Sequence, residues 1–331
     1  MNIYDNKHYK KLIIIPLVVA IISALLLPGL KLGIDLRGGV LINAPLNQPV
    51  DQNELSQALL SEFAIEELEV RTTSGVSPGI QIQFLGESTL LKAEGFINSE
   101  NYDAVIETLR PTTTIVETGD KKENAEAYYS QAREGFKNKL IASIASRTGV
   151  GKTDFSVQDV GPSLGSFFWQ QGQNALIFSF ILIILLVFIF FRRIMVSFAV
   201  IQAAFFDVLF SLGAMSILGI PLSLPTIAPL LMLIGYSVDT DIMLTERVMK
   251  RKAGKASERA MWAMHTGLTM TGTTLAAVLA MYVVSSLTSI AVLANISLII
   301  FIGLIGDLLA TWLVNAPIVI WLSEKKTRKV I

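Results

Sequence analysis

The chain has 331 residues, of which 52% are hydrophobic and only 16% are charged. Soluble domains carry charged side chains at about a quarter of their positions, so this composition excludes an ordinary soluble globular protein. The net charge is zero, yet acidic residues outnumber basic ones 19 to 12 between Lys31 and Gly165. Elsewhere basic residues outnumber acidic ones 15 to 8, which indicates that the two parts face different surroundings.

Two residue counts narrow the possible chemistry. The chain has no cysteine, which excludes disulfides, thiolate nucleophiles and thiolate metal sites. Its only histidines are His8 and His265, too few for a histidine-built metal centre. We therefore predict no metal site, no cofactor and no catalytic residues, and we do not expect an enzyme.

Six apolar stretches are long enough to cross a bilayer, whose hydrocarbon core about 20 helical residues span. They are Leu12–Leu30, Asn174–Phe191, Ile194–Ile220, Leu222–Leu244, Met261–Ser285 and Ser289–Leu322. The first follows several lysines, as a signal peptide would. It is nevertheless long enough to span and no small-residue cleavage pattern follows it, so we interpret it as an anchor.

Basic residues in short loops and flanks are retained in the cytoplasm, and here all of them fall on one side of the predicted helices. The opposite short loops, Gly219–Pro225 and Ser286–Ser289, contain none. This predicts a multi-pass protein of the cytoplasmic membrane with both termini in the cytoplasm. The predicted parts are 1–30 (N-terminus and first helix), 31–165 (extracytoplasmic domain), 166–323 (helices two to six) and 324–331 (basic tail).

Residues 31–165 have the mixed periodicity of a water-soluble α+β domain. The predicted strands are Val40–Leu46, Glu69–Thr73, Ile80–Leu85 and Asp154–Val160, with a turn at Ser74–Gly75, and the predicted helices are Asp51–Ala64, Tyr102–Leu109 and Ala125–Ser146. Asp51 and Glu54 form a capping-box pattern. The order strand, helix, strand, strand, helix, strand is that of a ferredoxin-like unit, for which we expect a binding or docking surface.

Charged residues and glycines adjoin the first span. Asp35 and Arg37 lie just outside the membrane, followed by Gly38 and Gly39, which allow unusual backbone angles. We expect this segment to fix the domain against the helices.

Aspartates occur within three predicted spans, at Asp207, Asp239, Asp241 and Asp307. A charged carboxylate at the bilayer centre costs about 2.5–3.5 kcal/mol, so these groups are expected to face the bundle interior, to pair or to hold a proton. No lysine or arginine lies at their depth. We interpret them, with His265 at the cytoplasmic end of the fifth span, as candidate proton-relay or gating residues. The alternatives are structural hydrogen bonding for the aspartates and an interfacial residue without a role for the histidine.

The polar residues of the fourth span lie on two faces. Helical spacing separates Gly235, Asp239 and Glu246 from a nearly opposite set of Ser237, Asp241 and Thr245. Because both faces cannot look at lipid, we expect this helix to be central.

Three motifs resemble the SecD/SecF family of protein-export membrane proteins, a branch of the resistance-nodulation-division superfamily. They are Gly33-Ile34-Asp35-Leu36-Arg37-Gly38-Gly39, Val160-Gly161-Pro162-Ser163-Leu164-Gly165, and Gly235-Tyr236-Ser237-Val238-Asp239-Thr240-Asp241 with Glu246-Arg247. The single modest external domain and the Ser-Val-Asp-Thr-Asp form are similar to the SecF branch, in its archaeal type.

The resemblance implies an auxiliary subunit of the Sec machinery that pairs with SecD beside the SecY/SecE translocon channel. It would promote late translocation of unfolded polypeptide across the lipid bilayer, driven by the proton gradient; no nucleic acid is involved. By position, Asp239 matches the aspartate of the SecD form of the fourth-span motif, and Thr240 falls where bacterial SecF has its aspartate. The membrane arginine of bacterial relatives is not reproduced, since Thr266 stands there beside His265. Asp239 is therefore the first relay candidate, followed by Asp241 and His265.

Two other classes stay open. A small-molecule or lipid exporter of the same superfamily usually has twelve spans and two external domains in one chain, twice what this chain has. An intramembrane aspartyl protease needs two facing carboxyls, which Asp207 and Asp239 could supply. Its Gly-x-Gly-Asp signature is missing, because Ser237 and Val238 stand where the second glycine and the aspartate belong.

Overall fold

A computed structural model describes residues 3–5, 8–46, 50–73, 79–113, 115, 117, 119–151, 154–250, 254–288 and 290–328. The chain forms two compact units, one of Met1–Leu36, Phe167–Ser285 and Ile290–Ile331, the other of Arg37–Ser166 and Ser286–Ser289. The predicted Ser74–Gly75 turn and the basic residues Lys7, Arg251, Lys252 and Lys329 lie outside the described residues.

The helices are α1 (Ile14–Leu26), α2 (Ile34–Arg37), α3 (Gln52–Glu62), α4 (Ser88–Asn98), α5 (Tyr102–Leu109), α6 (Lys121–Thr148), α7 (Pro162–Phe191), α8 (Ile194–Leu218), α9 (Leu224–Lys250), α10 (Ala256–Leu287), α11 (Ala291–Ala310) and α12 (Ala316–Arg328). The strands are β1 (Gly39–Pro45), β2 (Ile65–Glu66), β3 (Glu69–Thr73), β4 (Gly79–Phe84), β5 (Gly86–Glu87) and β6 (Ser156–Val160). Short 3₁₀ turns, Tyr9–Ile13 and Leu27–Gly29, flank α1, and a π-helical turn, Thr311–Asn315, joins α11 to α12.

Six helical stretches are long and apolar enough to cross a membrane, which confirms the predicted number and order of spans. They are Tyr9–Gly29, Leu164–Phe191, Ile194–Leu218, Leu224–Lys250, Ala256–Leu287 and Val292–Lys325. The helix of the second span begins at Pro162 instead of Asn174, and that of the fourth ends at Lys250 instead of Leu244. Both differences arise because a helix can continue through polar residues, where hydropathy falls.

The third and fourth spans form the centre of the helical unit. In each of these two spans, 56% of the most apolar stretch is buried. The corresponding share is 6% in the second span and 17% in the fifth. Helix α8 packs against α1, α9 and α11. A Cβ at Gly213 of α8 would lie 2.8 Å from Cα of Ser23, so the first of these contacts brings two backbones together.

The second unit contains a four-stranded antiparallel sheet in the order β3-β4-β1-β6. Strand β4 alternates between partly buried and buried positions, so Ile80, Ile82 and Phe84 face the core beneath the sheet. The Asp51 side chain accepts hydrogen bonds from the N–H groups of Asn53 and Glu54, at the start of α3. Strand order and connections match the predicted ferredoxin-like arrangement.

Helices α4 and α5 and the first part of α6 form a second hydrophobic cluster in this unit, around Ala93, Val105 and Tyr128. Helix α4 was not among the predicted elements. It contains Gly95, a poor helix former, and begins after Glu87, whose side chain accepts from the N–H of Leu90 although glutamate is not a preferred N-cap residue.

Glu94 of α4 is partly buried against α6. The Tyr129 hydroxyl donates a hydrogen bond to Oε2 of Glu94 at 3.1 Å, and burial raises the pKa of the Glu94 carboxyl. A pKa raised by folding gives stability that is complete below the unfolded pKa and is lost as pH rises through the folded pKa. We expect Glu94→Gln to raise the unfolding temperature of the full chain at neutral pH. This increase in unfolding temperature is expected to vanish at about pH 4, where the carboxyl is protonated in both states. Thermal unfolding across pH checks this, with the exposed Glu126→Gln of α6 as control.

Candidate functional site

Three aspartates from different helices meet inside the helical unit, and we call them the carboxylate cluster. Asp207 of α8, Asp241 of α9 and Asp307 of α11 expose 0%, 0% and 1% of their surface. They are electrostatic neighbours of one another. Among the described residues, no lysine or arginine forms an ion pair with any of them.

Thr311 bridges two carboxyls of the cluster. Its hydroxyl oxygen lies 2.9 Å from Oδ1 of Asp241 and 3.1 Å from Oδ1 of Asp307. A hydroxyl has one proton to donate, and an ionised carboxylate can only accept. Both contacts are hydrogen bonds if one carboxyl is protonated and donates to the threonine oxygen, or if the threonine proton is shared between the two carboxylates. The geometry suits a site where two carboxyls share a proton through Thr311.

Several polar atoms of the cluster and of the same three spans are buried and form no hydrogen bond of regular geometry among the described residues, although Ser237 lies beside Asp207 and Asp307, and Asn315 beside Asp241. These atoms are both carboxylate oxygens of Asp207, Oδ2 of Asp241 and of Asp307, the hydroxyls of Ser237 and Thr245, the Asn315 amide and Nε1 of Trp312. An unpaired buried polar group costs several kcal/mol in an apolar environment, of order 2–7. The carboxyl oxygens of Asp207, Asp241 and Asp307 that lack a regular hydrogen bond can each accept a proton or a hydrogen bond.

The cluster offers carboxyl and hydroxyl groups from three spans. In the described ranges, no group of three or more histidine, aspartate or glutamate side chains is arranged to hold a metal ion. Acidic side chains that face one another within membrane helices occur in the proton relays of pumps and transporters.

Two residues of the cluster's surroundings were missed in the sequence, Thr311 and Asn315. Together with Asp307 they are spaced by four, which puts them on one face of the sixth span. A search for polar residues repeating every four positions in an apolar helix finds them.

Asp239 and His265 lie away from the cluster, on exposed surfaces of the helical unit. Asp239 belongs to a row along α9 that we call the open face, which consists of Ala228, Met232, Gly235, Asp239 and Glu246. Their spacings of three, four and seven are those of a helix-packing seam. Asp207 and Asp239, the pair needed by the protease alternative, therefore do not face each other.

Helix α10 contacts α9 through the family-motif residues beside the open face. The Tyr236 hydroxyl donates to Oγ1 of Thr271 at 3.3 Å, and Nη1 of Arg247 donates to Oγ1 of Thr266 at 2.7 Å. Glu246 pairs with Lys250 one turn later, at 3.1 Å. Thr266 of α10 thus accepts a hydrogen bond from an arginine of α9.

The remaining glycine motifs allow backbones to approach closely. Gly38 and Gly39 have φ of 85° and 131°, which other residues rarely adopt. A Cβ at Gly165 would meet the Gly38 backbone and lie 2.8 Å from the Arg37 carbonyl carbon. Near the first span, the Gly33 N–H donates to the Leu222 carbonyl at 2.7 Å.

The Gly165→Ala substitution is expected to destabilise the chain by about 1–3 kcal/mol, because the added methyl meets main-chain atoms that cannot rotate away. Gly95→Ala is the matched control: nothing lies within 4 Å of a Cβ there, and alanine favours the helix. Chemical unfolding of the full chain in detergent measures both. Equal stability of the two variants would contradict this role for Gly165.

Comparisons with known proteins place the sequence among protein-export membrane proteins. The family model for the C-terminal part of the protein export membrane proteins SecD/SecF matches residues 141–325, and the SecD/SecF GG motif matches residues 23–50. Protein-export membrane protein SecF of Methanothermobacter thermautotrophicus is 34% identical over 325 residues, 97% of this chain and 95% of that protein. SecF of Methanocaldococcus jannaschii is 33% identical over 329 residues, 98% of this chain and 99% of that protein.

A solved structure shares the fold. The crystal structure of SecDF, a translocon-associated membrane protein from Thermus thermophilus, matches with a TM-score of 0.67 at 20% identity. The match covers 96% of this chain, which spans only 39% of that protein. Because the C-terminal family model covers more than half of the sequence and archaeal relatives align over nearly all of it, the chain belongs to the SecD/SecF family of protein-export membrane proteins.

Proposed function

We propose that the chain is an auxiliary subunit of Sec protein export that acts with a SecD partner beside the SecY/SecE channel. It promotes late translocation of polypeptides across the cytoplasmic membrane, using the proton gradient. The observation that carries the proposal is the carboxylate cluster, because three buried carboxyls without a cation partner among the described residues are costly in a membrane. Such groups mark proton pathways in pumps and transporters.

The open face of α9 supports a partner with helices of its own. Asp239 and Glu246 are unfavourable toward lipid, and Gly235 suits close helix packing. The chain spans 39% of SecDF, whose name joins SecD and SecF. We infer that a SecD bundle covers this face, so that Asp239 and His265 act as relay or gating residues at the subunit boundary and the carboxylate cluster acts within the subunit.

The proposed topology puts both termini and the basic loops in the cytoplasm, with residues 31–165 outside. The chain is naturally free of cysteine, so a single introduced cysteine is the only thiol. In intact cells we expect a membrane-impermeant maleimide to label Lys122→Cys of α6 and to leave Lys255→Cys unlabelled until the cells are permeabilised. Both positions are exposed, so labelling reports the side of the membrane. The reverse pattern would overturn the topology.

Export measured in inverted vesicles tests the function itself. The vesicles contain the chain, SecD and the translocon, with and without an imposed proton gradient. Asp239→Asn is expected to slow gradient-driven export, while a peptidase assay stays blank. Unchanged export by this variant would remove Asp239 from the relay, and copurification of the chain with neither SecD nor the channel would contradict the proposed function.

A further inference from the structure

The π-helical turn in the sixth span has a cause in the sequence. In the π register, the N–H of a residue bonds to the carbonyl five positions earlier, as Ala316 N–H does to the Thr311 carbonyl. The next bond of that register would join residue 317 to the Trp312 carbonyl. Residue 317 is proline, which has no N–H, so that bond to the Trp312 carbonyl cannot form.

The missing donor comes from the N-terminal segment. The Tyr4 hydroxyl donates to the Trp312 carbonyl oxygen at 2.9 Å, and only 2% of Tyr4 is exposed. Tyr4 also packs in the same hydrophobic cluster as Trp312 and Ala316. One residue later, Oδ1 of Asp5 accepts from the Ser257 hydroxyl at 2.6 Å, which holds this segment against α10.

The same turn presents polar groups to the carboxylate cluster. Thr311, its first residue, bridges Asp241 and Asp307, and Asn315, its last residue, lies beside Asp241. In the described part of the chain, the carboxyls that face this turn are Asp241 from α9 and Asp307 from α11, with Asp207 from α8 as their neighbour. A change in the register of the turn would therefore change the hydrogen bonds of the cluster.

We propose that Tyr4 is a positioning residue for the carboxylate cluster. Its hydroxyl replaces the N–H that Pro317 lacks and holds the π-helical turn in the register that directs Thr311 and Asn315 at the cluster. The N-terminal segment thereby sets how the cluster binds its proton. This inference rests on the proposed function only in treating the cluster as a proton carrier.

Infrared spectroscopy of the purified chain in lipid tests the inference, because the carbonyl stretch of a protonated carboxyl moves to higher frequency when its hydrogen bonds weaken. The parent chain is expected to show such a band, and the double variant Asp241→Asn, Asp307→Asn to lose it. Tyr4→Phe is expected to move the band to higher frequency, as Thr311→Val does. Tyr9→Phe is the control, because its buried hydroxyl lies 3.5 Å from Glu324 and not at the turn.

The Pro317→Ala background separates positioning from general damage. Alanine restores the N–H, so Tyr4→Phe is expected to move the band there by less than half of its effect in the parent chain. Three results would overturn the inference. Tyr4→Phe could shift the band equally in both backgrounds, it could leave the band identical to the parent's, or the parent could show no carboxyl band. If Tyr4→Phe alone fails to fold, rescue of folding by Pro317→Ala supports the inference and failure of rescue overturns it. The readout needs neither SecD nor export, so it stands or falls separately from the proposed function.

Discussion

The Asp241→Asn and Asp307→Asn variants are each expected to lose the gradient-driven part of export, by on the order of tenfold or more, while folding as well as the parent chain. Asparagine has nearly the shape of aspartate but cannot take up or release a proton. It also removes the cost of ionising a buried group in the membrane, so stability is expected to hold or to increase. Loss of coupling without loss of stability is the result expected of a functional cluster.

The initial rate of translocation in vesicles, with and without an imposed gradient, measures the loss, and thermal unfolding measures stability. Asp103→Asn is the matched control, since it removes an exposed carboxylate of the external domain that pairs with Lys121 at 2.7 Å. If Asp241→Asn and Asp307→Asn both respond to the gradient as the parent does, the cluster is structural and the proton pathway lies elsewhere.

Much of the fold follows from local sequence rules. The membrane spans are recognised by their length and apolar composition. The ferredoxin-like order follows from strand and helix patterns such as the alternation of Ile80, Ile82 and Phe84. The ends of the membrane helices could not be predicted as well, because α7 and α9 extend into polar sequence that hydropathy does not identify as part of a span. Helix α4 lacked both a usual N-cap and an uninterrupted run of good helix formers.

The candidate site was predictable in its residues and not in its arrangement. Asp207, Asp241 and Asp307 are recognisable as membrane carboxylates, and helical spacing puts Asp239 and Asp241 on opposite faces of α9. Which face is buried depends on the packing of α8 and α11, which a single helix cannot specify. The family motif pointed to Asp239 as the first relay candidate. The buried carboxylate cluster forms instead on the opposite face of α9, which carries Asp241.

The π-helical turn shows how one residue can act at a distance from its own position. Pro317 is visible in the sequence, yet its consequence needs three partners: the freed Trp312 carbonyl, the Tyr4 hydroxyl and the carboxyls that Thr311 bridges. Tyr4 and Trp312 are 308 positions apart. No local pattern joins them, so only the folded structure reveals that the N-terminal segment contacts the turn beside the cluster.

The Gly235→Leu variant is expected to leave the isolated chain folded and to weaken its association with SecD. Nothing in the described part of this chain lies within 4 Å of a Cβ at Gly235 or at Gly272 of α10, although glycine within a helix costs about 0.5–1 kcal/mol relative to alanine. A space that the chain itself does not use suits the close approach of another helix. A leucine side chain in this space is expected to weaken the contact with the partner helix by about 1–3 kcal/mol, which is roughly 5- to 150-fold in affinity.

Copurification and energy transfer between labelled subunits in lipid measure the association, and Gly272→Leu is expected to weaken it in the same way. Ala24→Leu is the control, because Ala24 is also an exposed small residue of a membrane span but lies on α1. Loss of SecD from the Ala24 variant together with full binding by the Gly235 variant would put the interface on a different face. A chain destabilised by Gly235→Leu in isolation would show that the glycine serves its own bundle. Stability retained while SecD is lost would instead identify the open face as the subunit boundary, with Asp239 at its centre.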